Sequence, residues 1–408
     1  MNLKLYSILS SSCCFLALAV QAQALDSVDP SIGGVGHLLE PTRPTVSLPN
    51  SIVRVYPMRR DALDDQIHGF PLTIISHRLG ELFWLMPSEG EGDAEAWRRP
   101  AAYDQEKETP YYYSVRLDTS LIQIEFTPAA HSGYFRFTFP NGKPLVLLAN
   151  RFNDDLTATE GNSFTGVEQF NNMQAFVYGE FSRPMNLVRT VNSGKARLAA
   201  SARDKTAVLE FRYGISFISA EQARKNLHEE ISNWDFAAVE RRARDRWNAV
   251  LGQVQVERGT PAQRRVFYTA LYGCCERMVD ISEDGKYYSS FDHQVHQDKR
   301  PFYVDNWLWD TYRALEPLQT LLNPEMQADK LQSYVRMYQQ AGWMPSFAVL
   351  WGDYACMTGN HAAAWMADAW FKGVRNFDLK TAYEGLRKNS LDATLLPWRN
   401  NTPFKTSG

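Results

Sequence analysis

Short alternating stretches of apolar and polar residues dominate the first half of the chain. They recur, with turn residues between them, at 111–117, 122–126, 133–139, 145–148, 175–181 and 207–211. A period of two places one face of a strand in a core, and short strands separated by turns are typical of an antiparallel sandwich. We therefore predict a β-sandwich domain over residues 25–232.

The period changes to that of helices after residue 219. Charged helical segments at 219–230 and 234–251 predict a helical linker, which we bound at 233–258. Further helices are predicted at 261–275, 307–321, 324–341, 361–372 and 379–388. Starts at Pro261 and Pro324, a cap at Asp378 and an end at Gly342 support them. Helices in pairs without strands between them predict an α/α toroid or bundle over residues 259–408.

Charge and hydropathy exclude two classes of partner. The 408 residues carry 43 basic and 46 acidic side chains, so nothing in the net charge of −3 favours nucleic acid or an anionic membrane. No apolar run reaches the roughly 18 residues that a transmembrane helix needs. A basic start at Lys4, an apolar stretch at 8–20 and the small residues at 22–24 predict a signal peptide over residues 1–24. We therefore expect a secreted or periplasmic protein.

Three cysteines remain after that cleavage: Cys274, Cys275 and Cys356. Neighbouring cysteines rarely pair with each other, and the chain has no C-x-x-C motif. We predict buried thiols in an exported protein that does not depend on disulfides.

The densest aromatic region, residues 302–313, also carries carboxylates. Seven of the 11 tryptophans lie after residue 300. Flat rings beside carboxylates suit sugars, because a ring packs on a pyranose face while a carboxylate accepts hydrogen bonds from hydroxyls. Packing between helices explains the same pattern equally well. The pair His293 and His296 lacks a third ligand and is a weak metal signal.

Hydrolysis of a glycoside needs two carboxyl groups, one on each side of the bond. Spacing alone does not show which carboxylates of the second half face each other. The candidates are Glu276, Asp280, Glu283, Asp284, Asp305, Asp310, Asp353 and Asp368.

An ordered set of motifs covers nearly all of the mature chain. It comprises V-D-P-S-I-G at 28–33, P-Y-Y-Y-S-V at 110–115, Y-F-R-F-T-F-P at 134–140, G-I-S-F-I-S-A at 214–220, L-W-D-T-Y-R at 308–313 and M-T-G-N-H at 357–361. In order and spacing this set resembles glycoside hydrolase family 92, the exo-acting α-mannosidases.

The resemblance implies an N-terminal antiparallel β-sandwich followed by a partial (α/α)6 toroid, with the active site between them. It also implies calcium-dependent, inverting removal of terminal α-linked mannose from glycans. Trp309 and Asp310 match the Trp-Asp of the motif that lies in the family's mannose pocket, so they are assigned to substrate binding. Asp353 and His361 are further substrate-binding candidates, for which core and capping roles stay open.

Departures from the family pattern indicate a divergent member. The family's G-H-G-H-T-x-P-G loop reads G-H-L-L-E-P-T-R at 36–43, its S-H-T-H stretch reads T-I-I-S-H-R at 73–78, and its N-E-T reads G-D-Y at 352–354. The family's acid and base motifs do not occur after residue 260, and the E-G-N at 160–162 falls in the predicted sandwich. The catalytic pair and most calcium ligands are therefore expected beyond Gly408, and no residue here is assigned to either.

On this interpretation the chain is an N-terminal fragment without activity of its own. An incomplete toroid is expected to expose apolar helix faces. Two alternatives remain open: a non-catalytic glycan-binding fragment, and another (α/α)6 carbohydrate-active enzyme such as a trehalase or a disaccharide phosphorylase.

Overall fold

The computed structural model describes residues 24–35, 45–61, 63–76, 80–89, 99–152, 154–192, 195–354 and 359–392. The predicted signal peptide up to residue 23, the loop at 36–43, Cys356 and the segment from residue 393 onward lie outside the described residues.

The first half of the chain is built from strands, as predicted. They are Val46–Ser47 (β1), Arg54–Val55 (β2), Gln66–Ile67 (β3), Thr73–Ser76 (β4), Gly80–Leu82 (β5), Trp84–Glu89 (β6), Ala101–Thr109 (β7), Tyr112–Leu117 (β8), Gln123–Pro128 (β9), Ser132–Thr138 (β10), Pro144–Ala149 (β11), Asp154–Ala158 (β12), Ser163–Phe170 (β13), Met173–Phe181 (β14), Met185–Asn192 (β15), Lys195–Ala202 (β16) and Val208–Ser216 (β17). A 13-stranded sheet has the order β3-β7-β8-β9-β10-β17-β14-β13-β12-β16-β11-β6, with β15 also paired to β16. Among the described residues its pairings are antiparallel, apart from that of β12 with β16.

An aromatic core holds this sheet together. Phe135 of β10 lies opposite Phe126 of β9 and Phe211 of β17, and all three side chains are fully buried. Phe70, which pairs with Leu85 of the end strand β6, also meets Phe135 edge-on with ring centroids 5.9 Å apart. The end of the sheet therefore lies over its middle, which is the sandwich arrangement that the alternation predicted.

Helices follow in the second half. They are Ala220–Glu230 (α1), Phe236–Leu251 (α2), Pro261–Gly273 (α3), Leu308–Thr311 (α4), Leu315–Leu322 (α5), Pro324–Ala341 (α6), His361–Phe371 (α7) and Leu379–Leu391 (α8). Within the described residues, no helix is long and apolar enough to cross a lipid bilayer.

Capping residues explain most of the helix boundaries. Thr260 and Gln263 form a capping box at the start of α3, and the Asp378 carboxylate accepts a 3.1 Å bond from the Thr381 N–H at the start of α8. Gly342 ends α6 with a φ of 75°, a conformation that suits glycine. The helix start at Pro261, the cap at Asp378 and the end at Gly342 were correctly predicted, whereas the capping box was not.

The expectation of helices with no strands between them is wrong. Residues 279–304 form Val279–Asp280 (β18), Lys286–Ser289 (β19), Gln294–Gln297 (β20) and Tyr303–Val304 (β21), and a later hairpin joins Ala348–Val349 (β22) to Gly352–Asp353 (β23). Asp284 and Gly285 precede β19 with positive φ values of 54° and 71°, a turn chemistry that favours hairpins. The predicted helix at 307–321 is also two helices, α4 and α5, because Ala314 between them has an extended φ of −131°.

A buried ion pair joins the sandwich to the helical region. The Arg54 guanidinium of β2 donates a 2.9 Å bond to the Asp305 carboxylate, and the two side chains are 6% and 0% exposed. The same guanidinium donates to the carbonyls of Ile74 and Ile75, at 2.9 and 2.7 Å. Nearby, the Trp247 indole N–H donates a 2.7 Å bond to the Ser47 carbonyl. The first strands are thereby tied to both halves of the chain.

A histidine–glutamate contact forms a second joint. The turn between β9 and β10 presents His131, whose Nδ1 lies 2.7 Å from Glu230 Oε1 at the end of α1. Burial alone lowers the pKa of His131, but the bond to Glu230 and its negative charge outweigh burial and raise the pKa to about 9. The protonated ring is therefore favoured in the folded protein.

The last two helices expose apolar side chains, as expected. Phe371, Tyr383 and Leu391 are 84%, 63% and 59% exposed, and they line a groove of about 590 Å³ between α7 and α8. The partial (α/α)6 toroid over residues 259–408 stays a prediction.

Replacing Arg54 by methionine is expected to lower the free energy of unfolding by about 3–5 kcal/mol, because Asp305 is then buried without its cation. Urea unfolding followed by circular dichroism measures the change. Lys372→Met removes a surface pair with Asp368, 2.7 Å apart and 34% exposed on both sides, and should cost less than about 1 kcal/mol. Equal losses in the two variants would contradict the role of the buried pair.

The His131 contact is expected to make stability depend on pH. Since the folded pKa is about 9 against 6.5 when unfolded, the stabilisation is complete below pH 6.5 and is lost as pH rises through 9. The wild type should lose on the order of 3 kcal/mol over that range relative to His131→Gln. Glu230→Gln should remove the same pH dependence. Parallel curves for wild type and His131→Gln would refute this origin.

Candidate active site

A buried tryptophan directly precedes the short helix α4, and an exposed one lies within it. Trp307 is 8% exposed and its ring centroid lies 4.8 Å from that of Phe347. Trp309, two residues later, is 46% exposed, and the neighbouring Asp310 is exposed as well. The core interpretation therefore holds for Trp307, whereas Trp309 and Asp310 present a ring and a carboxylate to solvent. We call residues 307–311 the WD turn.

Hydrogen bonds from buried side chains hold the WD turn. The Thr311 hydroxyl donates a 2.8 Å bond to Asn306 Oδ1, and Asn306 Nδ2 donates a 3.0 Å bond to the Glu316 carboxylate. Within the backbone, the Asp310 N–H donates to the Trp307 carbonyl at 2.8 Å. The WD turn is therefore held in this conformation by hydrogen bonds to buried side chains and within its own backbone.

The structure brings His361 next to the WD turn. It is the first residue of α7, and its ring stacks on Tyr312 with centroids 4.4 Å apart and an interplanar angle of 21°. Tyr312 directly follows the turn. His361 thus contacts the residue that follows the WD turn, and a pocket shared with Trp309 and Asp310 stays a prediction.

Asp353 lies on the neighbouring hairpin and is bonded to backbone. Its carboxylate accepts bonds from the Ser346 and Phe347 N–H groups, at 2.9 and 2.8 Å. Burial raises the pKa of Asp353 to about 7, against the lowering effect of these bonds. Asp353 pairs with Ala348, which accepts a bond from the Asn306 N–H at 2.7 Å. These bonds give Asp353 a structural role, because its carboxylate holds the loop just before β22. Its contact with substrate stays a prediction.

Sequence reasoning missed Arg277. Its guanidinium lies over the Trp307 ring, 4.3 Å from the centroid. Burial lowers the pKa of Arg277, while the charges of Asp305 and Asp310 act in the opposite direction. No pattern around residue 277 signals this position, because the contact joins a loop to the distant WD turn.

Glu276, one of the eight candidate carboxylates, lies close to Arg54 and Thr45. Burial raises its pKa to about 7, opposed by the charge of Arg54 and a bond from the Thr45 hydroxyl. The group lies at the same joint between the sandwich and the helical region. Its bond to Thr45 marks it as part of that joint.

The remaining candidate carboxylates make structural bonds. Asp305 binds Arg54, Glu283 accepts from Asn226, Asp280 accepts from the Ser282 N–H, Asp284 pairs with Lys225, and Asp368 pairs with Lys372. Among these candidates, Asp310 is the one that the structure places exposed beside an exposed aromatic ring.

A metal site is not formed by the part of the chain that the structure describes. No group of three or more histidine, cysteine, aspartate or glutamate side chains there could hold a metal ion. His296 instead lies 2.9 Å from the Asp292 carboxylate, and His293 Nδ1 lies 3.1 Å from the Tyr288 hydroxyl. These residues do not fit calcium, and calcium dependence stays a prediction. Cys274 and Cys275 are free thiols, as predicted, and burial raises the pKa of Cys275 to about 12.

Two family models match adjacent parts of the chain and together cover residues 27–406. The glycosyl hydrolase family 92 N-terminal domain matches residues 27–222, and the glycosyl hydrolase family 92 catalytic domain matches residues 222–406. The chain belongs to glycosyl hydrolase family 92, a family of glycosidases.

Solved structures and a curated relative agree with this family. The structure of a family GH92 inverting mannosidase from Bacteroides thetaiotaomicron is 27% identical, with a TM-score of 0.85 over 92% of this chain and 56% of that chain. A family GH92 α-mannosidase from the same species, in complex with mannoimidazole, shares the fold at 22% identity, with a TM-score of 0.80 over 92% of this chain and 57% of that one.

An uncharacterized secreted glycosidase from Arthroderma benhamiae is 24% identical in an alignment of 337 residues that covers 70% of this chain and 39% of that protein. The chain thus spans between about two fifths and three fifths of the length of these relatives.

Proposed function

We propose that this protein removes terminal α-linked mannose from glycans with inversion, and that the WD turn forms part of its mannose pocket. The exposed pair Trp309 and Asp310 carries the proposal. A solvated indole covers the apolar face of a pyranose, and a carboxylate beside it accepts bonds from the hydroxyls. The inverting mannosidase that is 27% identical supports mannose as the sugar.

The position of Trp309 argues for a ligand. Its neighbours Trp307 and Leu308 are buried at 8% and 0%, so the turn already has its anchors in the core. Leaving about half of an indole in water gives up hydrophobic stabilisation, which a bound sugar ring would restore. His361, beside the turn, is proposed to line the same pocket.

Inversion needs a protonated carboxyl at the leaving oxygen and a carboxylate that activates water, roughly 6.5–9.5 Å apart. We assign neither role to a described residue, because the candidate carboxylates other than Asp310 make the structural bonds given above. We also propose that the protein is secreted. The leader-like pattern at residues 1–24 and the secreted relative support this.

Trp309→Ala and Asp310→Asn are each expected to weaken binding of methyl α-mannoside at least about tenfold, or about 1.4 kcal/mol. Isothermal titration calorimetry measures the dissociation constants. Phe371→Ala and Asp284→Asn are the matched controls, since they change an exposed ring and an exposed carboxylate elsewhere. If the site variants bind as well as the controls, the WD turn is not the sugar site.

Turnover is tested with an aryl α-mannoside, in calcium and again in EDTA. The proposed activity needs a catalytic acid and base, to which no described residue is assigned, so this span by itself is expected to release no aryl alcohol above background. Any activity that it does show is expected to be lost in EDTA. Substantial turnover would overturn the expectation of inactivity, and turnover that persists in EDTA would overturn the calcium requirement.

A further inference from the structure

We propose that Thr311, Asn306 and Glu316 are positioning residues that fix the WD turn in its sugar-binding conformation. The part of this inference that concerns sugar affinity rests on the proposed function. The part that concerns the conformation of the turn does not.

The bonds form a relay that begins next to the proposed ligand residues. Thr311 directly follows Asp310, and its hydroxyl donates a 2.8 Å bond to Asn306 Oδ1. Asn306 thereby closes a loop around the whole turn. Its own Nδ2 donates a 3.0 Å bond to Glu316 Oε1. A shift of the turn would break a bond in which both partners are buried, at 6% and 0% exposure.

The carboxylate of Glu316 determines which end of the Asn306 side-chain amide faces Thr311. Glu316 Oε2 also accepts a 3.0 Å bond from Gln327 Nε2 of α6. Because an ionised carboxylate only accepts hydrogen bonds, it requires the N–H side of the Asn306 amide. The oxygen of that amide is then left facing Thr311. A glutamine at 316 would offer a donor as well as an acceptor and would not impose this order.

Glu316 lies close to a second buried charge. Glu316 and Lys330 are both 0% exposed, and Lys330 Nζ makes no hydrogen bond within the described residues. Burial lowers the pKa of Lys330, and the negative charge of Glu316 acts in the opposite direction. Buried charges cost solvation, and apolar residues at such positions often give equal or greater stability. The bonds that the carboxylate accepts from Asn306 and Gln327 give it a further role, which is to orient the Asn306 side chain.

The relay also links the two loops of the candidate site. The Asn306 N–H donates a 2.7 Å bond to the Ala348 carbonyl, and Ala348 pairs with Asp353. One asparagine thus connects the WD turn through its side chain and the Asp353 hairpin through its backbone. A movement of either loop is therefore expected to displace the other.

The test compares two buried threonines beside Glu316. Thr311→Val deletes the hydroxyl that holds the turn. Thr320→Val deletes a hydroxyl that donates a 2.9 Å bond to the Glu316 carbonyl, at the nearly equal exposure of 5%, and does not touch the turn. Hydrogen exchange followed by mass spectrometry reports on a peptide covering 306–313. We expect Thr311→Val to speed exchange of the turn amides about tenfold, Thr320→Val to leave them unchanged, and Thr311→Ser to restore them.

Affinity for methyl α-mannoside, measured on the same variants, separates the two proposals. We expect Thr311→Val to weaken it about tenfold and Thr311→Ser to restore it. Equal exchange of the turn in Thr311→Val and Thr320→Val overturns the positioning role, even if Trp309→Ala abolishes binding. Should Thr311→Val loosen the turn while Trp309→Ala binds normally, the mannose assignment fails and the positioning of the turn stands. Slow exchange of the Asn306 side-chain amide protons in the wild type is expected as well, and fast exchange there would refute the relay without any variant.

Discussion

The buried ion pair between Arg54 and Asp305 is the interaction on which the rest of this structure depends. Its partners come from the second strand and from the segment just before the WD turn, 251 residues apart in the chain. The guanidinium also donates to two carbonyls within β4, so a single cation connects β2, β4 and the segment before the WD turn. Burying these charges costs several kcal/mol that only good geometry offsets. The joint is therefore stable in one arrangement of its parts.

The residues that hold the candidate site in place follow one another from that ion pair to the protein surface. Asp305 anchors the start of the WD turn, Asn306 and Glu316 hold it from beneath, and Trp307 fills the core. Only then does the chain present Trp309 and Asp310 to solvent. The geometry of this short turn is fixed because moving it would break hydrogen bonds between buried polar groups, which costs free energy. Sugar recognition needs such rigidity, since hydroxyl positions distinguish one hexose from another.

Local signals in the sequence predicted much of the fold. The aromatic alternation around Phe135 predicted β9, β10 and β17 nearly in place, and Pro261 and the cap at Asp378 marked helix starts. The strand β7 was missed because it is largely exposed on both faces and shows no alternation. The hairpin of β19 and β20 was missed because no element was predicted between residues 275 and 307, although the Asp284-Gly285 turn just before β19 is a signal for flanking strands.

The sequence predicted the motif of the candidate site but not the residues that hold the motif in place. The W-D-T-Y-R run singled out Trp309 and Asp310, yet the sequence did not distinguish the exposed Trp309 from the buried Trp307, because both flank the same leucine. Arg277 and Arg54 carry no local signal, since their partners lie far away along the chain. Long-range pairing of charges depends on the tertiary fold, which a pattern of neighbours does not encode.

The central claim is that the WD turn is a preformed sugar platform. A crystal structure of the protein with methyl α-mannoside tests it most directly. The account predicts a pyranose stacked on the exposed face of Trp309, with a hydroxyl within hydrogen-bond distance of the Asp310 carboxylate and with Thr311 still bonded to Asn306. A mannoside bound at another surface, with Trp309 and Asp310 left in solvent, would contradict it.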